Sequence, residues 1–144
     1  MSVCELCTQI GGELLWEEPL LRIVRVEDPL YPGFLRVICR SHHKEMTDLG
    51  LSDRQRIMQA VFAAEQALRE TLSPHVPDMK INLASLGNVT PHVHWHVIVR
   101  VSDDPHFPTP IWGPPLRDIP HLLPAGWIKE VQERLVSLMA TGDD

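Results

Sequence analysis

Apolar positions along the chain follow two periods. Residues 13–16 and 20–26 are short apolar blocks parted by the turn-forming Glu17-Glu18-Pro19, and they predict two strands. Tyr31-Pro32-Gly33 marks another turn, and 34–39 reads as a buried strand. The period then changes. Ile57, Val61, Ala64, Leu68 and Leu72 recur every third or fourth residue, which predicts a helix with one apolar face. Ser52-Asp53-Arg54-Gln55 has the form of a capping box with Ser52 as N-cap, and Ser73-Pro74 ends the helix, because proline disfavours helical backbone in the residue before it. Residues 79–85 and 92–101 return to strand character on either side of Gly87-Asn88. A connection of about six residues predicts an antiparallel hairpin. Residues 105–124 hold seven of the 13 prolines and read as irregular. Trp127, Ile128, Val131, Leu135 and Leu138 have helical spacing and predict a last helix that fades over 141–144. Strands, a helix, a hairpin and a helix together predict an α+β domain with an antiparallel sheet of about five strands covered by helices.

A length of 144 residues fits one domain spanning 1–144. The formal net charge of −6 disfavours a nucleic-acid polymer as partner, since a basic surface normally supplies that affinity, and it disfavours a basic membrane-surface role. No apolar run of about 18 residues suggests a membrane span. The first residues lack the basic and apolar regions of a secretory signal. Cys4, Cys7 and Cys39 make a poor disulfide framework, so the expected compartment is the cytoplasm. The pair Cys4 and Cys7 then reads as a metal-binding element or as plain thiols. The remaining unusual number is eight histidines, the side chain that ordinarily titrates nearest neutrality.

Three of them stand in Pro91-His92-Val93-His94-Trp95-His96-Val97-Ile98. Successive side chains of a strand point to opposite faces, so His92, His94 and His96 line one face at about 6–7 Å per step. Val93, Trp95 and Val97 line the other and can pack beneath a helix. Such a row could bind a metal, serve nucleophilic and acid–base chemistry at phosphorus, or form no more than a polar strand face.

Residues 92–98 resemble the signature of the histidine triad family, His-φ-His-φ-His-φ-φ with apolar φ, at every position. Pro32-Gly33-Phe34-Leu35-Arg36-Val37-Ile38, then His42 and Met46-Thr47-Asp48-Leu49, are similar to the region that precedes the triad in that family. The stretch 105–113 looks like that of a bacterial, dinucleoside-polyphosphate-hydrolase-like subfamily. The resemblance implies a nucleotide hydrolase or nucleotidyl transferase. His94 would attack the α-phosphorus of a dinucleoside polyphosphate or phosphoramidate, His96 would contact the phosphate or leaving group, and Asn82 and Asn88 would hold phosphate oxygens. It implies a small-molecule nucleotide as partner and a homodimer. Glu27 and Asp28 lie near the expected ribose ligand. Two departures stand out: Val99 replaces a frequent proline before Arg100, and Phe34 replaces a polar residue before Leu35.

Two cysteines do not complete a tetrahedral zinc site. The resemblance supplies the rest: in some members, and in the related galactose-1-phosphate uridylyltransferases, an upstream histidine and the first triad histidine join such a pair. Here the set would be Cys4, Cys7, His42 and His92, holding a structural zinc beside the nucleophile, with His43 pointing elsewhere. A non-catalytic nucleotide-binding or zinc-stabilised regulatory module on the same fold would share all these residues. Among the rest, Trp127 and Trp16 read as core, or in Trp16's case as wall of a base pocket, Trp112 as core, pocket or interface, and His75, His106 and His121 as surface.

Overall fold

The computed structural model describes residues 4–118 and 122–141. The expectation for His121 therefore lies outside the described residues. Five strands form one antiparallel sheet: β1 (Glu13–Glu17), β2 (Leu21–Arg25), β3 (Phe34–Cys39), β4 (Lys80–Ala84) and β5 (His94–Arg100), in the order β1-β2-β3-β5-β4. A four-residue helix α1 (Glu5–Thr8) precedes them, α2 (Leu51–Leu72) lies between β3 and β4, and α3 (Trp127–Thr141) follows β5.

Alternation divides the sheet into two unlike faces. Leu21, Ile23, Leu35, Val37, Val97 and Val99 point to one side, where Ile57, Val61, Ala64 and Leu68 of α2 and Val131, Leu135 and Met139 of α3 bury them. Burying a side chain of this kind stabilises by about 1.5–3 kcal/mol, so this side is the core. Trp127 belongs to it and Trp16 packs against it.

The open face carries Arg22, Val24, Phe34, Arg36, Ile38, His94, His96, Ile98 and Arg100, and Arg22, His94, His96 and Arg100 are buried among its apolar members. Arg22 fastens the N-terminal segment to this face. Its Nη2 donates to the carbonyls of Leu6 and Gln9, both at 2.8 Å, and its Nε to that of Ile10 at 2.8 Å. Leu6 then packs on Val24 and Ile38.

Arg100, only 2% exposed, fastens the proline-rich segment in the same way. It is paired with Asp104 at 2.7 Å and donates to Asn82 Oδ1 at 2.8 Å and the Thr109 carbonyl at 2.7 Å. Tyr31 donates its hydroxyl to Asp104 at 3.0 Å, and its oxygen meets His106 Nδ1 at 2.6 Å. His106 is therefore buried, not a surface residue. Burial would raise the Asp104 carboxyl. Arg100 and the backbone N–H groups of His106, Phe107 and Val101 outweigh it and bring the group down to about 2.

Several boundaries differ from those the sequence predicts. α2 starts at Leu51 with Gly50 as N-cap, and no side chain caps it, so the Ser52 box does not form. Arg54 instead turns back to the Leu49 and Thr47 carbonyls, and the helix starts two residues earlier than a Ser52 N-cap would place it. The reciprocal cap forms at the preceding 3-10 turn, where the Glu45 N–H donates to Asp48 Oδ2 at 3.0 Å. β4 and β5 pair as a hairpin, but they are shorter than predicted, so the connection runs over 85–93 and His92 precedes β5. Val99 has a reason to differ from proline: its N–H donates to the Gly33 carbonyl at 2.9 Å, a bond proline cannot make. Gly33 fits because a Cβ there would lie 2.7 Å from Val99 Cγ2.

Replacing Asp104 with Ala would strand a buried guanidinium, which costs about 3–5 kcal/mol. Urea denaturation of D104A should show a loss of that size. Because the Asp104 carboxyl ionises at about 2 in the folded protein against an ordinary 3.8, its contribution is complete above that ordinary value and is lost as pH falls towards 2. D104A should therefore lose less stability on acidification than the parent. Equal pH dependence would contradict this assignment.

Candidate functional site

His94 and His96 stand on the open face of β5, opposite Ile38 and Arg36 of β3. Both line a cavity of about 420 Å³ whose other walls include Glu5, Leu6, Arg36, the 86–90 loop and Trp112. The rings of His94 and His96 lie edge to face, 4.9 Å between centroids. His96 is also bounded by the Phe34 ring at 5.5 Å and by Trp112 at 4.9 Å. Phe34 thus gives up a polar contact and packs on an imidazole. Trp112, half exposed, walls the cavity, while Trp127 lies in the core.

The tautomer of His94 follows from its neighbour. Nδ1 lies 2.5 Å from the His92 carbonyl, which can only accept, so Nδ1 carries the proton. Nε2 keeps the lone pair. Burial lowers the His94 pKa, against the hydrogen bond to His92, and the Arg36 charge lowers it further. Burial, then Arg36, then His94 bring His96 down to about 3. His96 Nδ1 is buried with no hydrogen-bond partner. A buried unpaired polar atom is costly unless a ligand or water meets it.

His92 faces the other way along the same surface. Its Nδ1 lies 3.3 Å from Cys4 Sγ, 3.5 Å from Cys7 Sγ and 3.2 Å from His42 Nδ1, and Cys7 Sγ lies 3.3 Å from His42 Nδ1. All four ligand atoms fall within 4.8 Å of one another. Tetrahedral zinc, with Zn–S about 2.3 Å and Zn–N about 2.05 Å, sets S···N at about 3.5 Å and N···N at about 3.3 Å. The spacings therefore fit a Cys2His2 metal site. His92 Nε2 donates to the Cys39 carbonyl at 2.6 Å, which leaves Nδ1 unprotonated as a ligand must be. His43 is outside the cluster, and its carbonyl accepts from the Val93 N–H.

The two asparagines separate. Asn88 lies in the wall of the histidine cavity, where Gly87 turns the loop with φ +71°. Asn82 does not line that cavity, and its Oδ1 accepts from Arg100. Glu27 lines a neighbouring cavity of about 310 Å³ with Glu5, Gln9 and Arg36. Asp28 instead closes a local turn by accepting from the Leu30 N–H at 2.9 Å. Sequence reasoning passed over Arg36 and the Arg100–Asp104 pair. The available signal for Arg36 was a cation between Leu35 and Val37 inside a buried strand. For Arg100 it was the same period-two row that holds the histidines.

Residues 8–103 match the HIT domain, so the chain belongs to the histidine triad (HIT) family. An AP-4-A phosphorylase of Mycobacterium tuberculosis is 28% identical over 109 residues, covering 71% of this chain and 56% of the relative. The chain thus spans little more than half of that relative's length. A histidine triad protein from Bradyrhizobium japonicum superposes with TM-score 0.67 at 25% identity, over 90% of this chain and 92% of that one. One from Marinobacter aquaeolei gives 0.61 at 27% identity, over 91% and 90%.

Nitrogen-detected NMR of ring-labelled protein should find His94 protonated at Nδ1 near neutral pH. It should also find His96 uncharged well below the ordinary histidine range, with ionisation at about 3. A His96 that titrates near its ordinary 6.5 would contradict the burial described.

Proposed function

We propose that this protein is a nucleotide hydrolase or nucleotidyl transferase that works through a nucleotidyl-histidine on His94. The observation that carries this reading is the fixed His94 tautomer, with Nδ1–H held by the His92 carbonyl and the Nε2 lone pair left for a cavity ligand. The name of the mycobacterial relative, AP-4-A phosphorylase, supports a substrate of the dinucleoside-polyphosphate class; a phosphoramidate would serve the same chemistry.

His94 Nε2 attacks the α-phosphorus as the bond to the leaving group breaks, and the leaving group departs with the bonding pair. A P–N bond forms, and the positive charge on the ring is shared with the His92 carbonyl through Nδ1–H. Water, or another acceptor, then attacks the same phosphorus, releases its proton to solvent and displaces Nε2 with its pair restored. Little acid–base force is required of the protein, because phosphoryl transfer depends chiefly on positioning and charge stabilisation. In this reading His96 and Asn88, with the backbone N–H groups of the Gly87-Asn88 turn, hold phosphate oxygens; both residues line the cavity. Asn82 acts at one remove by holding Arg100. His92 acts by orientation and as a ligand of a structural zinc with Cys4, Cys7 and His42.

The domain extent, 1–144, and the cytoplasmic setting follow the same reading, since a reducing compartment keeps the cysteine pair available to metal. A homodimer is part of it as well. β4 is an edge strand, and Leu83, Leu86 and Trp112 expose apolar surface beside it. Among the described residues, no helix is long and apolar enough to cross a membrane.

His94→Ala should lower turnover of the best nucleotide substrate by on the order of 10⁴-fold or more. A labelled nucleotidyl group should be trapped on the parent after quenching without acid, and be absent from H94A. Nucleotide binding with no adduct and no turnover across a substrate panel would favour a binding module. The zinc assignment has a separate check. Protein purified without added metal should carry close to one equivalent, and Cys4→Ser/Cys7→Ser close to none, with a lower melting temperature. A metal-free parent would exclude the structural zinc.

A further inference from the structure

Three arginines stand on the open face, and two of them are committed to the fold. Arg22 gives its donors to three carbonyls of the N-terminal segment. Arg100 gives its own to Asp104, Asn82 and the Thr109 carbonyl. Arg36 differs. Its Nε is buried without a hydrogen-bond partner, and among the described residues it forms no ion pair. Its guanidinium rests over the Phe34 ring at 5.7 Å. The Glu5 charge acts on it from beyond ion-pair distance.

The place of Arg36 is as telling as its lack of partners. It is the direct cross-strand neighbour of His96, and it is the single arginine or lysine in the wall of the histidine cavity. It also lines the adjoining cavity with Glu5, Gln9 and Glu27, so it stands at the junction of the two. Leaving the Arg36 Nε–H buried and unpaired is costly, and the cost is recovered when an anion arrives. Its fork of donors matches phosphate oxygens.

We propose that Arg36 is the anion-binding residue of the site, donating through its guanidinium to non-bridging oxygens of the phosphate that lies against His94 and His96. The assignment rests on the nucleotide reading for its biological ligand, but not for the anion site itself. It gives substrates with a multiply charged phosphate next to the histidines an advantage that the imidazoles alone do not supply.

Inorganic pyrophosphate is the probe. Calorimetry should show the parent binding it. Arg36→Met should bind about tenfold more weakly or worse, since one charge-assisted hydrogen bond contributes that much or more, and Arg36→Lys should fall between. In the parent, pyrophosphate should also shift the Arg36 Nε–H resonance and slow its exchange with solvent, a readout that needs no variant to fold. A parent that does not bind, an R36M affinity equal to the parent's, or an unmoved Nε–H overturns the proposal. The two readings fail separately. A His94 adduct with an unmoved Arg36 leaves the nucleotide reading standing alone. Arg36-dependent pyrophosphate binding without any adduct leaves the anion site standing alone.

Discussion

The structure around the histidine cavity depends on one residue, His92. Its Nε2–H is given to the Cys39 carbonyl at the end of β3. Its Nδ1 faces Cys4, Cys7 and His42, so the N-terminal segment and the chain after β3 converge on one ring. Its carbonyl accepts from His94 Nδ1 and so leaves Nε2 as the ring nitrogen with the free lone pair. Support and tautomer choice are thus one covalent unit: whatever fixes the His92 ring also fixes the carbonyl that holds the His94 ring. A metal at the four-residue cluster would tighten this unit without touching substrate, which is the ordinary contribution of a closed structural site.

Around this joint the sheet meets two demands. One face is apolar and covered by α2 and α3. The other is covered by segments with little regular structure, the N-terminal turn and the proline-rich run after β5. Irregular backbone exposes carbonyls that need donors when it is buried. Arg22 and Arg100 supply them, each carrying several donors on one rigid fork. This explains why arginine recurs on a face that the alternation pattern alone would mark as solvent-facing.

Much of this was legible in the chain. The alternation at 92–98 placed His94 and His96 on one face, while His92 falls before β5 and turns to the cysteine pair, and the C-x-x-C with His42 and His92 anticipated the cluster through family resemblance. Period is local information, which is why the strands and both long helices could be read. What the sequence concealed is long-range pairing. Asn82 read as a phosphate contact because an amide near a triad suits that role, yet Arg100 meets it from the neighbouring strand. His106 read as surface because prolines flank it, yet Tyr31 and Asp104 enclose it through partners more than 70 residues away or just beside it. Helix starts depend on competition among nearby caps, and here the start falls at Gly50 with no side-chain cap.

Net charge illustrates the same difference between local and global information. A chain at −6 repels polyanions only within about a Debye length, roughly 8 Å at physiological salt. Inside a partly desolvated cavity the near charges govern, and there the balance is Arg36 against Glu5 with two uncharged imidazoles. A small phosphate ligand that enters this cavity experiences that local field. A nucleic-acid polymer would have to lie across the acidic exterior. Net charge and the charges lining the cavity therefore act on different scales, and the role proposed for Arg36 belongs to the second.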